Sequence, residues 1–127
     1  MQHPSYILLH VDNPEASGAF YTRILALQPV EASATFVLFV LDTHLRLGLW
    51  SRHTVKPASD AGAGAVEIGF SLSDARSVDD LHRRWESIGV EIVQEPTDMD
   101  FGRAFTACDP DGHRLRVFAP GADAGGA

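Results

Sequence analysis

The chain has a single cysteine, Cys108, so no disulfide can form within it, and a reducing cytoplasm is the expected compartment. No apolar run approaches the roughly 20 residues that a membrane-spanning helix needs. The opening MQHPSY lacks the basic start and apolar block of a secretory leader, so none is expected. Positive charge is also scarce: 10 lysines and arginines stand against 17 acids, for a formal net charge of −7. The arginines are scattered among acids and form no basic stripe, which argues against a nucleic-acid partner. The compact catalytic signatures are missing too. Without a GxSxG elbow or a phosphate loop, the common hydrolase and kinase chemistries have no support. None of the six histidines stands in an HxH or HExxH pair, although catalytic zinc usually takes three protein ligands.

What remains is the make-up of an ordinary soluble chain, and 127 residues suffice for one domain with one real core. SYILLHV (5–11) reads as a buried strand. Asn13 and Pro14 then start a helix, the amide capping free N–H groups and proline occupying the first helical position. Ala16, Phe20, Ile24 and Leu27 recur at helical spacing and predict its apolar face. A short strand is expected around 28–32, followed by a hairpin of ATFVLFVL (34–41) and HLRLGLW (44–50). Turn formers without periodicity fill 52–64, the expected linker.

The same order then returns. VEIGFSL (66–72) is a strand, and Ser77 with Asp80 three positions later marks a helix start. Val78, Leu81, Trp85 and Ile88 give a buried stripe that ends at Gly89, with Trp85 read as core. Three strands follow, at 90–93, 103–108 and 113–118. DPDG (109–112) reads as a structural turn that His113 and Arg114 help to hold. Cys108 lies in an apolar strand with no basic neighbour, the setting of an inert thiol. GADAGGA (121–127) is expected to be a frayed tail. The organisation predicted is therefore one α+β domain over 1–120 built from two tandem βαβββ modules, about 5–51 and about 65–118. Neither half can close a core alone, so the two curved half-sheets are expected to pair around a cavity.

VDNPEASGAFYTRIL (11–25), EIGF (67–70) and DPDGHRLRVF (109–118) carry a resemblance to the vicinal oxygen chelate superfamily. That superfamily includes glyoxalase I, fosfomycin resistance thiol transferases, extradiol dioxygenases and bleomycin resistance proteins. The resemblance covers nearly the whole chain. It implies the glyoxalase/bleomycin resistance fold, but this fold hosts several chemistries as well as plain binding. In metal-using members it implies ligands at strand positions that fall here on Tyr6 (or Ser5), Glu67 and Arg116, the last a glutamate in the metal enzymes. A divalent ion needs lone pairs, whereas guanidinium offers only donors and a permanent positive charge. No metal or other cofactor is therefore expected. Glu67 and Arg116 are instead expected to form an ion pair at that place, and breaking it would cost on the order of 3 kcal/mol if the pair is dry.

Strand alternation sorts the remaining faces. Ile7, Leu9 and Val11 belong to the core, which turns Tyr6, Leu8 and His10 the other way. Leu45, Leu47 and Leu49 likewise leave Arg46, Gly48 and Trp50 on the open face. Glu67 and Gly69, Thr106 and Cys108, and Arg116 and Phe118 share faces in the second module. The expected ligand contacts are thus Tyr6, His10, Phe39, Arg46, Trp50, Glu67, Thr106, Arg116 and Phe118, with Met99 and Phe101 at the rim. Small residues, Gly48 and Gly69, leave room for a flat, partly polar organic molecule. The resemblance to resistance proteins implies a homodimer.

Three functions fit these residues. The first is a metal-free protein that sequesters a small aromatic or peptide-like toxin. The second is a glyoxalase-like lyase or isomerase, or a thiol transferase, with an altered ligand set, or with Glu67 or His10 as general base. The third is an accessory domain that binds a metabolite or a protein.

Overall fold

The computed structural model of the chain describes residues 5–60 and 66–120. The chain divides into two compact units, Met1–Ala63 and Gly64–Ala127. The first contains β1 (Tyr6–Val11), α1 (Pro14–Leu25), β2 (Glu31–Ala32), β3 (Phe36–Val40) and β4 (Arg46–Ser51). The second contains β5 (Glu67–Ser71), α2 (Ala75–Ser87), β6 (Glu91–Met99), β7 (Gly102–Cys108) and β8 (Arg114–Pro120). Each is a four-stranded mixed sheet, ordered β1-β4-β3-β2 in one unit and β5-β8-β7-β6 in the other. The first and last strands pair in parallel and the other neighbours are antiparallel. The α+β class and the tandem βαβββ modules are thus as the sequence predicts.

In α1 the cap is where the sequence places it. Asn13 Oδ1 accepts from the backbone N–H of Glu15 at 3.0 Å and of Ala16 at 3.2 Å, and Pro14 takes the first position. The apolar face is rotated from the expected one. Its buried residues are Pro14, Ser17, Gly18, Phe20, Tyr21 and Ile24, whereas Ala16 is exposed and Leu27 lies beyond the helix. Close packing explains the shift. A Cβ on Gly18 would sit 3.3 Å from both γ-methyls of Val37, so small residues face the sheet where β3 runs beneath the helix. The helix stops at Ala26, which adopts a left-handed conformation (φ 55°). Leu9, Val11, Val37, Phe39, Leu47 and Leu49 complete this core.

β2 is only two residues long, shorter than the predicted 28–32. Pro29 has no N–H to give a sheet ladder, and the first bond to β3 comes from Val30, whose N–H donates to the Leu38 carbonyl at 2.8 Å. The predicted linker begins as a turn tied to β4: Val55 is buried, and its N–H reaches the Ser51 carbonyl at 3.0 Å. Residues 61–64 of that linker and the tail 121–127 lie outside the described residues.

In α2 the start falls one turn earlier than predicted. Asp74 is the cap, with Oδ1 accepting from the Ser77 N–H at 2.8 Å, so Ser77 is already helical. Val78, His82 and Trp85 are the buried residues, while Leu81 and Ile88 are only half-buried. Trp85 is core as expected, edge-on to Phe70 at 5.6 Å and to Phe105 at 5.5 Å between ring centroids. β6 runs well past the predicted 90–93. Its register shifts between Ile92 and Gln94 and again between Gln94 and Thr97, which lets an edge strand carry Pro96. The DPDG turn is structural. Buried Asp109 accepts from the N–H groups of Asp111 and His113 and meets His113 Nδ1 at 2.8 Å, and Gly112 supplies a φ of 90°. Among the described residues, no helix is long and apolar enough to cross a membrane.

Trp85→Ala should destabilise the chain by about 3–5 kcal/mol in denaturant unfolding, the usual cost of emptying an aromatic core site. In the same assay Asp74→Ala should lower the midpoint more than Ser77→Ala; the reverse order would move the cap back to Ser77.

Candidate functional site

Among the described residues of each unit, one helix packs on one side of the sheet, and alternation sends every second side chain to the other. On the first unit, register sets Tyr6 beside Arg46, Leu8 beside Gly48, and Trp50 between His10 and Phe36. Tyr6, Leu8, Phe36 and Trp50 line an open apolar cleft of about 520 Å³. The Phe36 and Trp50 rings meet edge to face at 6.1 Å, and the Arg46 guanidinium lies 5.7 Å from the Tyr6 ring centre. Tyr6 and Leu8 are 51% and 46% exposed, so about half of each side chain remains available to a ligand. Gly48 forms the floor: a Cβ there would come within 2.6 Å of Leu8 Cδ2 and 3.0 Å of Phe36 Cζ.

Phe39 does not belong to this face. It is fully buried on the helix side with Val37 and Leu47, so the expectation that it contacts ligand is corrected to core packing. Phe36 takes that role in the cleft. The two are three residues apart in one strand and must point to opposite sides, a parity that the Leu47 and Gly48 assignments already fixed.

On the second unit, Glu67, Gly69, Thr106, Arg116 and Phe118 share the side away from α2. The expected ion pair is present and bidentate. Arg116 Nε donates to Glu67 Oε1 at 2.9 Å and Nη2 to Oε2 at 3.0 Å, while Arg114 Nη1 stands 4.0 Å from Oε2. The Glu67 and Arg116 side chains are 39% and 25% exposed, so the dry-pair cost does not apply and the pair is worth about 1 kcal/mol at most. Thr106 lies beneath, register partner of Arg116, with its buried Oγ1 lacking a hydrogen-bond partner. Phe101 extends the aromatic surface, edge-on to Phe118 at 6.1 Å, and Met99 is exposed nearby in the strand that leads to it.

The Arg116 hydrogen bonds hold the Glu67 carboxyl below its ordinary value, against the opposing effect of partial burial. Glu67 is accordingly a weakened base. Both of its oxygens are engaged by a guanidinium that has no lone pair to offer, so these residues do not fit a divalent ion at this place. His10 stands exposed at the end of the apolar face, next to Trp50 in register. Cys108 is not poised for reaction. Burial, then the hydrogen bond from Sγ to Glu91 Oε2 at 2.9 Å, pushes its thiol up to about 11.

Comparison with known proteins gives concordant results. The family model of the Glyoxalase/Bleomycin resistance protein/Dioxygenase superfamily matches residues 3–117. The phenazine antibiotic resistance protein EhpR of Enterobacter agglomerans is 32% identical over 117 residues, covering 90% of this chain and 89% of that protein. Among solved structures, protein ATC0852 from Agrobacterium tumefaciens superposes with a TM-score of 0.84 at 48% identity, covering 96% of this chain and 100% of that one. A glyoxalase-related enzyme from Fulvimarina pelagi shares the fold, with a TM-score of 0.80 at 20% identity over 97% of this chain and 95% of the other.

Because the folded carboxyl of Glu67 titrates below the ordinary 4.5, its contribution to stability is complete above that pH and is lost as pH falls through the lower, folded value. The stability gap between the native chain and Glu67→Gln should therefore shrink as pH is taken from about 6 to well below 4.5 in urea titrations; a gap that widens would mean that the pair does not form. Alkylation of Cys108 by iodoacetamide at about pH 8 should be slow compared with a free thiol, and faster in Glu91→Gln. Equal rates in the two proteins would remove Glu91 as the cause.

Proposed function

Since the chain belongs to the glyoxalase/bleomycin resistance protein/dioxygenase superfamily, we propose that it binds a small planar aromatic antibiotic and holds it out of circulation without a catalytic metal. The observation that carries this reading is the open cleft lined by the aromatic and aliphatic side chains of Tyr6, Leu8, Phe36 and Trp50. Such a surface gains by burying a flat ring, at roughly 25 cal/mol per Å² of apolar area removed from water, and an indole offers a face for stacking. The size suits a molecule of two or three fused rings. Arg46 at the edge adds a cation beside the Tyr6 ring, which favours an electron-rich or acidic substituent at that end. The phenazine resistance protein among its relatives supports a ligand of this class.

An isomerase, lyase or thiol transferase draws less support. Of its two candidate bases, Glu67 is already paired with Arg116 and His10 stands exposed at the end of the apolar face, and the one thiol is held protonated by burial and Glu91. The reading includes a homodimer in the cytoplasm, and light scattering of the purified chain tests the dimer.

Titration of the protein with phenazine, followed by tryptophan quenching, should show saturable binding that treatment with a chelator leaves unchanged. Trp50→Ala should weaken it by about tenfold or more, as removal of a central aromatic contact does. Gly48→Ala, which forces Leu8 and Phe36 to move, should weaken binding while leaving the fold intact. The proposal fails if Trp50→Ala binds with native affinity, or if chelation abolishes binding.

A further inference from the structure

On the helix side of the second sheet, away from Glu67 and Arg116, three side chains converge that play no part in the reading above. His82 and Glu86 stand one turn apart on α2, and Glu95 reaches them from β6. One ligand atom from each can be chosen so that all lie within 4.8 Å of one another. His82 Nε2 is 2.7 Å from Glu95 Oε2 and 3.9 Å from Glu86 Oε2.

The imidazole is the informative member. His82 is only 9% exposed and its ring lies edge-on against Phe105 at 5.3 Å, which fixes the direction in which Nε2 points. Despite the short approach of Glu95, that buried nitrogen has no hydrogen-bond partner of acceptable direction. A buried polar atom left in this way is costly, and it is aimed between two carboxylates. We propose that His82, Glu86 and Glu95 form a binding site for a divalent transition ion of the zinc class, with solvent completing the coordination.

Geometry and charge both favour such an ion. For metal–ligand bonds of about 2.0–2.1 Å in a tetrahedron, neighbouring ligand atoms sit about 3.3 Å apart. The two measured separations, 2.7 and 3.9 Å, bracket that spacing. Modest outward movement of Glu95 and inward movement of Glu86 would equalise them, and both carboxylates are free to move, with side chains 67% and 58% exposed. The nitrogen can offer its lone pair to the metal, and two carboxylates balance a double positive charge. One nitrogen with two oxygens suits zinc, nickel or copper better than magnesium or calcium, which prefer an all-oxygen shell. Bound there, the ion would tie α2 to the edge strand of the sheet.

The test is calorimetric titration of the chelator-treated, full chain with zinc chloride, paired with a melting scan. One zinc per chain and a raised melting temperature are expected, with a much smaller response to magnesium or calcium. Glu95→Gln and Glu86→Gln, both at exposed positions, should each weaken zinc binding by about tenfold or more and abolish the melting shift. His82→Gln should do the same, and the two glutamate variants keep the test decisive if that buried substitution unfolds the chain. Absence of zinc binding to the native chain, native affinity in both glutamate variants, or an equal response to calcium would each overturn the site. None of these outcomes bears on phenazine binding, because Trp50 and its cleft belong to the other unit.

Discussion

In both modules the first strand pairs in parallel with the last, β1 with β4 and β5 with β8, and the chemistry of each open face follows from the register of that pairing. Glu67 and Arg116 are far apart in sequence, yet the alignment of Gly69 with Arg116 sets the guanidinium two register positions from the carboxylate and on the same side. Likewise the alignment of Leu8 with Gly48 opens the floor on which Leu8 and Phe36 rest. A slip of one residue would turn Arg116 towards α2 and Val117 towards solvent, exchanging buried apolar area for a buried charge. Burial of Leu115 and Val117 therefore helps to hold the ion pair in register.

The two modules share a topology and differ in what their faces offer. In the first, α1 packs through Ser17 and Gly18 and comes close to β3, and the opposite side of the sheet is almost wholly apolar. In the second, α2 packs through Trp85, and the opposite side carries a self-neutralised charge pair flanked by Phe118 and Phe101. The same topology thus closes each core with different helix-side residues, and the two open sides differ in chemistry. Open-side positions are under little packing constraint, so their identity is free to follow whatever binds there.

Much of this was legible in the sequence because it rests on local rules. Period-two alternation identified Tyr6, Leu8, Arg46, Gly48 and Trp50 as one face, and the resemblance of the last strand put Arg116 opposite Glu67. Where sequence reasoning failed, the deciding information was not local. The helix face of α1 was misplaced because Ser17 and Gly18 look polar or empty until β3 is seen beneath them. Ser77 resembles a cap as well as Asp74 does, and only the hydrogen bond from Ser77 N–H to Asp74 separates them. Phe39 is aromatic, but its parity relative to Phe36 puts it on the helix side of the sheet. The cluster of His82, Glu86 and Glu95 is not legible in the sequence, because its third member comes from another element and spacing along a helix reveals only the first two.

An arginine in the last strand changes more than the identity of one side chain. A carboxylate there would leave two or more negative groups facing each other, an arrangement that costs free energy unless a cation sits between them. With Arg116, the cationic group is built into the protein, is oriented by two hydrogen bonds, and cannot dissociate or change its oxidation state. The charge of Glu67 is then balanced by a side chain of the same sheet. What the face carries is a planar, bidentate guanidinium–carboxylate pair on the same side of the sheet as Phe118.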